Sequence, residues 1–515
     1  MPNSDTTLLH VCGRYLPLSE TFTYDLISGL RGFQHHVVAT TVENIQHFPI
    51  STLVVPQPEE HTWTLAGQIN ARVVVCHSGP QAMLGMTTAL AIDRPAVTIF
   101  HGCDASRLVR DRVWVDRYRA VASLGMHALC TSHAARQNLI EIGWPASQIE
   151  VIHLGVDTER FAFVPPQERW PLKPRRILMV ARLVEKKGVT VALDAMRRLR
   201  DRGCDVELRI VGDGPERSRI EGLMRHWQLT NVSLLGALEH SLTRHELSRA
   251  HLYIQPSMTA ESGDQDGIPV SLMEAMASGI PVVSTRHSGI PELVIDGQTG
   301  DLVAQRDGEG LAVAIEHLTQ DHASAERLAQ GGRARVEQEF DSRRQSARFD
   351  AYFRALAEDD SRRPSVSQSR YSTGRRRGLI IHSVPHGLLA RKLLLLRERY
   401  PDMQWEVLTT ESCATQVRQI PLVGLVWPYD DGHLSLRQIG RALLSELHDR
   451  VYDLVVVPYA DDIGSGFAHV RRAAAAIGGH RLIALTLGDH ERQLPANTFR
   501  WHVKPKKKSR LSSTR

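Results

Sequence analysis

Two observations predict an α/β protein built from several parallel sheets that are wrapped by helices. Short apolar runs of strand length alternate with amphipathic helical segments along the chain, which is the pattern of β-α-β units. The chain has 515 residues, of which 42% are hydrophobic and 23% charged, so it can bury more than one ordinary core. We therefore expect roughly three domains.

The first predicted domain, residues 1–164, and the second, residues 165–356, share one organisation. Candidate strands of the first are LLHVCG, HHVVATT, ARVVVCH, PAVTIFHG, ALCTS and IEVIHLG; those of the second are RILMVA, VELRIVG, VSLLG, HLYIQPS, IPVVST and GDLVA. Residues 335–356 are predicted to form one long helix. Two such domains that face each other form a cleft at the carboxyl ends of their strands, where open α/β sheets bind ligands.

A third, smaller α/β domain is predicted for residues 378–500, after a linker at residues 357–377 that is rich in Ser and Arg. Its five candidate strands are GLIIHS, WEVLTT, LVGLVW, DLVVVPYAD and RLIALTLG, with helices between some of them. Residues 501–515 form a basic tail. Such a tail is attracted to an anionic membrane surface, although a solvated chain end is the simpler interpretation.

The stretch from Asp266 to Glu274, DGIPVSLME, is the most informative part of the sequence. Gly267 and Pro269 break the chain after HLYIQPS, and a helical pattern resumes at Val270, with Pro269 at a tolerated first-turn position. The amino end of a helix offers free N–H groups to a diphosphate, and the flanking carboxylates accept hydrogen bonds from hydroxyl groups. A diphosphate joined to a polyol is the chemistry of a nucleotide sugar.

Two earlier turns between a strand and a helix carry groups that suit the same ligand. RILMVA leads into Arg182, and Lys187 and Gly188 open the following helix, so two cations are placed to bind phosphate. The strand VELRIVG ends in the turn GDGP, residues 212–215, where glycine lets the backbone approach a ligand closely. Each cation also has a simpler interpretation as a solvated charge at a turn.

These segments resemble the signature motifs of family 4 retaining glycosyltransferases of the GT-B fold, in which two Rossmann-like domains face each other. The motifs lie at residues 182–188, 212–215 and 266–279. The segments YLPLSETFTYDL, FHGCD and VIHLGVDTERF are similar to the corresponding first-domain motifs, and SETF and HG most resemble the bacterial exopolysaccharide branch of the colanic acid and amylovoran type. The resemblance covers about the first two-thirds of the chain.

The resemblance implies a role for each principal site residue. Arg182 and Lys187 match the pair that neutralises the donor diphosphate, whose charge grows as the glycosidic bond breaks. Glu274 matches the acid that binds the ribose hydroxyls, and Asp266 matches the acid that contacts the donor sugar. His101 matches the histidine that reaches the donor sugar from the first domain. The resemblance implies no metal, because these two cations neutralise the diphosphate, and no cofactor, because the nucleotide sugar is a co-substrate.

The resemblance also implies donor-binding positions in neighbouring turns and loops. Backbone N–H groups of Gly267 and Ile268 would contact the sugar and the phosphate. The other positions are Gly212, Asp213, Gly214, Ser19, Glu20 and Thr21. Two simpler interpretations stand beside these roles: His101 can be an ordinary core histidine, and Asp213 can serve only its own turn.

Two positions depart from the family pattern. Asp266 stands where the family usually has Glu, so its carboxylate is one methylene shorter. Pro269 stands where many relatives have Gly, and it removes one N–H donor. Glu261 and Asp264 lie just upstream, and the carboxylate of either is a candidate to contact the donor sugar if the shorter Asp266 does not extend to it.

Composition and the resemblance together define the expected partners and compartment. A glycan or polyprenyl-linked glycan acceptor is implied, and with it peripheral contact with the inner membrane face. A net charge of +5 permits an anionic partner without requiring one, and nothing indicates nucleic-acid binding. Six scattered cysteines indicate a reducing cytoplasm. The polar N-terminal sequence MPNSDTT predicts no signal peptide.

The sequence therefore predicts a nucleotide-sugar-dependent glycosyltransferase of polysaccharide biosynthesis. A non-catalytic sugar-nucleotide-binding or scaffold protein is the alternative, in which Asp266 and Pro269 would mark decay. A sugar-nucleotide epimerase on the same fold would need an acid and a base for proton abstraction, and no such pair is identified. The third domain is open to acceptor binding, partner docking or a second, degenerate transferase half.

Overall fold

A computed structural model describes the chain over most of its length. The described residues are 6–16, 21–45, 53–56, 62–171, 173–364, 376–420, 422–432, 434, 436–461 and 468–494. They belong to two compact units, Met1–Ser365 and Val366–Arg515. Part of the predicted linker, residues 365–375, and the basic tail at residues 501–515 lie outside the described residues. Among the helices in these ranges, none has both the length and the apolar character needed to cross a membrane.

The first unit begins with a seven-stranded parallel sheet in the order β3-β2-β1-β4-β5-β6-β7. Its strands are β1 (Thr7–Tyr15), β2 (Gln34–Val42), β3 (Leu53–Pro56), β4 (Val73–Cys76), β5 (Ala96–Phe100), β6 (His127–Cys130) and β7 (Ile149–Val151). Its helices are α1 (Thr21–Gly29), α2 (Thr62–Gln68), α3 (Ala82–Ile92), α4 (Cys103–Ser106), α5 (Arg112–Ser123) and α6 (His133–Glu141). β3 is absent from the predicted strands because its apolar run is very short and ends at Pro56.

A second parallel sheet of the same unit has six strands in the order β10-β9-β8-β11-β12-β13. Its strands are β8 (Arg175–Val180), β9 (Val206–Val211), β10 (Val232–Gly236), β11 (Leu252–Gln255), β12 (Val282–Thr285) and β13 (Asp301–Val303). Its helices are α7 (Pro166–Arg169), α8 (Val189–Asp201), α9 (Arg217–His226), α10 (His240–Arg249), α11 (Val270–Ala277), α12 (Ile290–Leu293), α13 (Gly308–Gln320) and α14 (His322–Glu339).

The single long helix predicted for residues 335–356 is wrong, because the segment contains two helices. α14 ends at Glu339, and α15 (Ser342–Glu358) begins after Asp341, whose carboxylate accepts hydrogen bonds from the backbone N–H groups of Arg343 and Arg344. An extended residue that caps the next helix stops helical continuity at this point. α15 returns to the first sheet as the resemblance implied, and its buried Phe349 joins the core cluster that contains Leu8, Val73 and Val97.

The second unit contains a six-stranded sheet in the order β16-β15-β14-β17-β18-β19. Its strands are β14 (Arg376–Ile381), β15 (Met403–Thr410), β16 (Leu425–Tyr429), β17 (Leu454–Pro458), β18 (Arg481–Leu485) and β19 (Glu491–Gln493). Its helices are α16 (His386–Arg399), α17 (Glu411–Arg418), α18 (Leu436–Asp449) and α19 (Ala468–Ile477). The five predicted strands are present. β19 is an additional, antiparallel edge strand, and its polar sequence ERQ gives no apolar signal.

Candidate active site

The loop between β8 and α8 carries the two predicted phosphate-binding cations. Residues 185–187 form a single tight turn, and Gly188 follows it with a φ of +69°. A Cβ atom at residue 188 would lie 1.8 Å from the carbonyl oxygen of Pro256, so glycine alone lets this loop pack on the chain that follows β11. The packing sets Lys187 beside the acidic loop that precedes α11.

The turn after β9 packs against the same loop. Gly212 has a φ of +135°, and a Cβ atom there would lie 2.0 Å from the carbonyl oxygen of Ala181. The carboxylate of Asp213 accepts hydrogen bonds from its neighbour Gly214 N–H at 2.7 Å and from Arg217 Nη1 at 3.1 Å. Asp213 therefore stabilises its own turn, which agrees with the simpler interpretation of this residue.

Arg182 is exposed at the carboxyl end of β8. Within the described ranges its side chain forms no ion pair and no hydrogen bond, whereas most arginines of this domain are paired with carboxylates. An unpaired guanidinium beside a glycine-rich turn can bind an anionic ligand without first losing a protein partner.

Asp266 is buried, and its carboxylate is fully engaged by protein groups. Oδ1 lies 2.9 Å from Lys187 Nζ and 3.8 Å from Lys186 Nζ, while Oδ2 accepts a hydrogen bond from Ser257 Oγ at 2.7 Å. Burial raises the pKa of this carboxyl, but Lys187, Lys186 and Ser257 together outweigh burial and lower it. The structure thus brings the predicted phosphate cation and the predicted sugar-binding acid into one ion pair.

Lys186 is a site residue that the sequence analysis missed. Its Nζ lies 3.0 Å from Asp264 Oδ1 and donates a hydrogen bond to the carbonyl oxygen of Gln265 at 3.2 Å. Lys186 therefore fixes the loop that carries Asp266. Asp264, a candidate for reaching the donor sugar, is committed to this contact, and the backbone N–H of Glu261 donates to the carboxylate of Glu185. The sequence VEKKG places a second lysine directly before Lys187, and this neighbour could have indicated that Lys186 also belongs to the site.

Glu274 lies on the second turn of α11 and has no ion pair or side-chain hydrogen bond in the described part of the chain. Burial, assisted by the negative charge of Asp25, raises the pKa of Glu274 to about 7, although Arg160 and Arg244 oppose the shift. Asp25 belongs to α1 of the first domain, so Glu274 senses charges from both sides of the cleft. An unengaged carboxyl at this position can accept hydrogen bonds from a diol.

His101 follows β5 and is fixed through its backbone. Oδ1 of Asp104 accepts hydrogen bonds from the N–H groups of His101 and Gly102, and Oδ2 accepts one from Gly79 N–H at 3.0 Å. Both ring nitrogens of His101 are shielded and have no hydrogen-bond partner among the described residues. The ring of Phe22 lies 4.5 Å away, centroid to centroid. Burial lowers the pKa of His101 despite Asp104, so a neutral imidazole is held there.

The loops that carry His101 and Asp266 meet directly. A Cβ atom at Gly267 would lie 2.7 Å from the carbonyl oxygen of His101, so the approach requires glycine. The N–H of Gln265 donates to Ser106 Oγ at 3.1 Å across the same contact. Ile268 is buried in the core of the second domain, and its side chain is structural. His101 and Asp266 therefore face one cleft from opposite domains.

A second contact between the domains involves Glu292, which the sequence analysis did not single out. Its carboxylate accepts hydrogen bonds from the N–H groups of His133 and Ala134 at 2.9 and 3.2 Å, and lies 2.9 Å from His153 Nε2. Among the described residues, His133, His153 and Glu292 are the one group with metal-ligand spacing. The amino end of α6 points at the carboxylate and disfavours a cation there, so we interpret the group as a clasp between domains.

The last predicted positions lie before α1. Ser19 and Glu20 are outside the described residues, and Thr21 is described only as the first residue of α1. Of the predicted site, the structure therefore brings together Lys187, Asp266 and His101 at the carboxyl ends of β8, β11 and β5. Arg182 and the glycine turn lie at the same edge, and Glu274 lies on the helix that opens there.

Comparisons with known proteins agree with this geometry. Residues 19–160 match the domain family Glycosyltransferase Family 4, and residues 161–335 match Glycosyl transferases group 1. The colanic acid biosynthesis glycosyltransferase WcaL of Salmonella typhimurium is 38% identical over 280 residues, which cover 52% of this chain and 67% of WcaL. The amylovoran biosynthesis glycosyltransferase AmsK of Erwinia amylovora is 38% identical over 246 residues, covering 47% of this chain and 60% of AmsK.

Solved structures extend the agreement to the fold. HepE from Anabaena, crystallised with UDP and glucose, superposes with a TM-score of 0.59 at 19% sequence identity. The superposition covers 68% of this chain and 100% of HepE. At this identity the likeness shows that the two facing Rossmann-like domains are those of the GT-B fold. On this fold and these relatives, the chain belongs to the family 4 glycosyltransferases.

Proposed function

We propose that this glycosyltransferase moves a sugar, with retention of anomeric configuration and without a metal ion, from a nucleotide-diphosphate sugar to a glycan acceptor. The observation that carries the proposal is that Lys187 and His101 lie at one cleft, with Arg182, which has no partner among the described residues, at the carboxyl end of β8. The protein acts in polysaccharide biosynthesis, as its relatives WcaL and AmsK are named for doing. The binding of UDP and glucose by HepE in its crystal supports a nucleotide sugar as donor.

The donor diphosphate is proposed to replace Asp266 as the partner of Lys187. In the described structure Lys187 is held by Asp266, whereas Arg182 is unengaged. An arriving diphosphate binds Arg182 first and then draws Lys187 Nζ away from the carboxylate. Asp266 stays in place through Ser257 and Lys186, and its released Oδ1 accepts a hydrogen bond from a hydroxyl of the donor sugar. Donor binding therefore places Lys187 on the diphosphate and Asp266 on the donor sugar.

The two cations then stabilise the leaving group. Negative charge develops on the diphosphate as the glycosidic bond breaks, and Arg182 and Lys187 are positioned to neutralise it. Since these side chains supply the positive charge, the proposal requires no divalent ion. The leaving diphosphate oxygen takes the proton of the acceptor hydroxyl, which attacks the same face of the sugar, so the configuration is retained.

The neighbouring groups orient the substrate. Glu274 accepts hydrogen bonds from the ribose hydroxyls, and the neutral ring of His101 contacts the donor sugar from the first domain. The same groups disfavour a non-catalytic scaffold role, because a decayed site would not be expected to retain both cations and His101 at one edge. The reaction is proposed to take place in the cytoplasm, at the inner membrane face if the acceptor is polyprenyl-linked.

Turnover of purified protein with a panel of UDP-, GDP- and ADP-sugars, in the presence of EDTA, tests the proposal. We expect saturable turnover of one donor, with the released sugar first appearing as the anomer present in the donor, followed by ¹H NMR. Lys187→Ala should lose this turnover, and the exposed Arg219→Ala should keep it. Turnover that requires an added metal, or an inverted product, would overturn the corresponding part of the mechanism.

A further inference from the structure

Three histidines form a continuous hydrogen-bonded chain through the first sheet. His35 on β2, His10 on β1 and His77 directly after β4 lie on adjacent strands in the order β2-β1-β4. His10 Nε2 is 3.0 Å from His35 Nδ1, and His10 Nδ1 is 2.9 Å from His77 Nε2. His35 Nε2 reaches the carbonyl oxygen of Leu30 at 3.3 Å. His10 is fully buried and His77 is 7% exposed.

The carbonyl of Leu30 fixes every proton in the neutral chain. A carbonyl oxygen only accepts, so His35 Nε2 carries a proton and His35 Nδ1 accepts one from His10 Nε2. By the same rule, His10 Nδ1 accepts from His77 Nε2. His77 Nδ1 is therefore left without a proton and can only accept a hydrogen bond. Burial, followed by the neighbouring histidines, lowers the pKa of both His10 and His77, which keeps the chain neutral.

His77 Nδ1 is a buried acceptor without a hydrogen-bond partner in the described part of the chain. Buried polar atoms of this kind are rare in folded proteins, and each calls for a donor that the protein itself does not supply. The hydrogen bonds through His10 and His35 prevent His77 from changing tautomer, because the carbonyl oxygen of Leu30 accepts at the far end of the histidine chain. His77 Nδ1 therefore cannot become a donor. The missing partner must be a hydrogen-bond donor.

His77 lies beside the predicted reaction centre. Two residues after it, Gly79 N–H donates to Asp104 Oδ2, and the other oxygen of Asp104 holds the backbone of His101. A Cβ atom at residue 79 would lie 2.0 Å from Tyr118 Oη, so this loop is tightly packed against its neighbours. After burial, His101 is the largest influence that lowers the pKa of His77, as expected for two neighbouring rings. Within the described ranges, His77 Nδ1 and both ring nitrogens of His101 are buried without a hydrogen-bond partner.

We propose that His77 binds the carbohydrate acceptor, its Nδ1 accepting a hydrogen bond from an acceptor hydroxyl group, and that His10 and His35 are positioning residues that fix this tautomer. The inference rests on the proposed function and adds to it a contact on the first domain. A hydroxyl group is the donor that a glycan offers in abundance, and a neutral nitrogen that cannot donate selects a hydroxyl over a carbonyl or a carboxylate. Phe22, which is half-buried over His101, has to move for a ligand to reach the pair.

Four variants separate this role from a merely structural one. His77→Leu removes the acceptor, whereas His77→Asn keeps an amide oxygen close to the position of Nδ1. His35→Leu removes the anchor on Leu30 without touching the cleft. His35→Gln can still donate to Leu30 and accept from His10, so it preserves the direction of the chain. His317→Gln, at an exposed position on α13, is the control.

The first measurement is ¹⁵N NMR of protein labelled at histidine. We expect Nε2 of His77, His10 and His35 to carry protons and His77 Nδ1 to carry none. His35→Leu should mix the two tautomers of His77, and His35→Gln should not. A protonated His77 Nδ1 in the wild type would overturn the inference, because the residue would then be a donor.

The second measurement is transfer to a panel of methyl glycosides from the donor found in the nucleotide-sugar screen, with hydrolysis by water as the reference. His77→Leu and His35→Leu should lower kcat/KM for the glycoside about tenfold, as expected for the loss of one hydrogen bond from the glycoside hydroxyl, with the donor KM unchanged. His77→Asn and His35→Gln should recover part of the loss. Equal activity of all variants and the control would overturn the inference while leaving the proposed function intact. If the wild type turns over no donor, the proposed function fails, and the inference then stands or falls on whether the glycosides shift the His77 Nδ1 resonance.

Discussion

Lys187 Nζ lies 2.9 Å from Asp266 Oδ1, so the cation predicted for the donor phosphate and the acid predicted for the donor sugar form one largely buried ion pair. The pair joins the loop after β8 to the loop before α11. Each charge compensates the other and both side chains are ordered before the donor arrives. The donor phosphate competes with Asp266 for Lys187 and can separate the pair. The same two residues that order the site are therefore proposed to bind the diphosphate and the sugar of the donor.

Lys187→Ala is expected to reduce kcat with the donor by on the order of 100-fold, because the growing charge on the leaving diphosphate loses one of its two cations. Lys186→Ala should have a smaller effect, since Lys186 contacts the acidic loop and reaches Asp266 only at 3.8 Å. Steady-state kinetics of both variants measure the difference. Equal losses would show that the two lysines share the phosphate role.

Asp266→Asn is expected to lower Tm at neutral pH and to matter progressively less as the pH falls below about 4. Burial raises the pKa of Asp266, but Lys187, Lys186 and Ser257 outweigh it, so the pKa in the folded state lies below the unfolded value. Such a carboxyl stabilises the fold above its unfolded pKa, and the contribution is lost as the pH falls through the folded pKa. Thermal unfolding of wild type and variant across this range measures it. A Tm difference that does not change with pH contradicts the assignment.

The effect of Glu274 on stability depends on pH in the opposite direction to that of Asp266. Its pKa is raised to about 7, mainly by burial, so its folded-state pKa lies above the unfolded value. The fold therefore loses stability as the pH rises from about 4.3 toward 7, and Glu274→Gln should remove that loss. The ionised carboxylate is the better acceptor for ribose hydroxyls, so the donor KM should fall as the pH rises through about 7. A KM that is independent of pH, and equal in Glu274→Gln, would exclude Glu274 from the ribose site.

Gly188→Ala is expected to destabilise the first unit by about 2 kcal/mol or more, because a Cβ atom would collide with the backbone of Pro256 in addition to straining φ. Gly203→Ala is the matched control. Gly203 has a φ of +74°, close to that of Gly188, but a Cβ atom there meets nothing within 4 Å. Thermal unfolding should therefore show a larger loss for residue 188, and equal losses would mean that backbone strain alone explains both.

Much of the fold follows from local pattern. Runs such as RILMVA and DLVVVPYAD form buried strands because uninterrupted apolar, β-branched sequence suits a sheet covered on both faces. β3 has only three apolar residues before Pro56, and β19 is polar, so neither produces that signal. The break between α14 and α15 depends on one capping residue, Asp341, inside a sequence whose periodicity continues on both sides.

The site was predictable only in part, for a different physical reason. Short contiguous motifs contain Arg182, Lys187 and Glu274, so the sequence alone is enough to predict these three residues. The ion pair of Lys187 with Asp266 and the clasp of Glu292 on α6 join residues that are far apart in the chain. The histidine chain depends on the order of strands in the sheet, which places His35, His10 and His77 side by side. Such contacts arise from tertiary packing and leave no local pattern.

Calorimetric titration of UDP, GDP and ADP in the presence of EDTA, into wild type, Arg182→Ala and Lys187→Ala, tests the central claim most directly. We predict that one nucleoside diphosphate binds the wild type without metal and that each substitution weakens its binding at least tenfold, as the loss of a charge-assisted contact requires. The exposed Arg219→Ala should bind like the wild type. Failure of all three diphosphates to bind, or equal binding to every variant, would contradict the assignment of this cleft to a nucleotide-sugar donor.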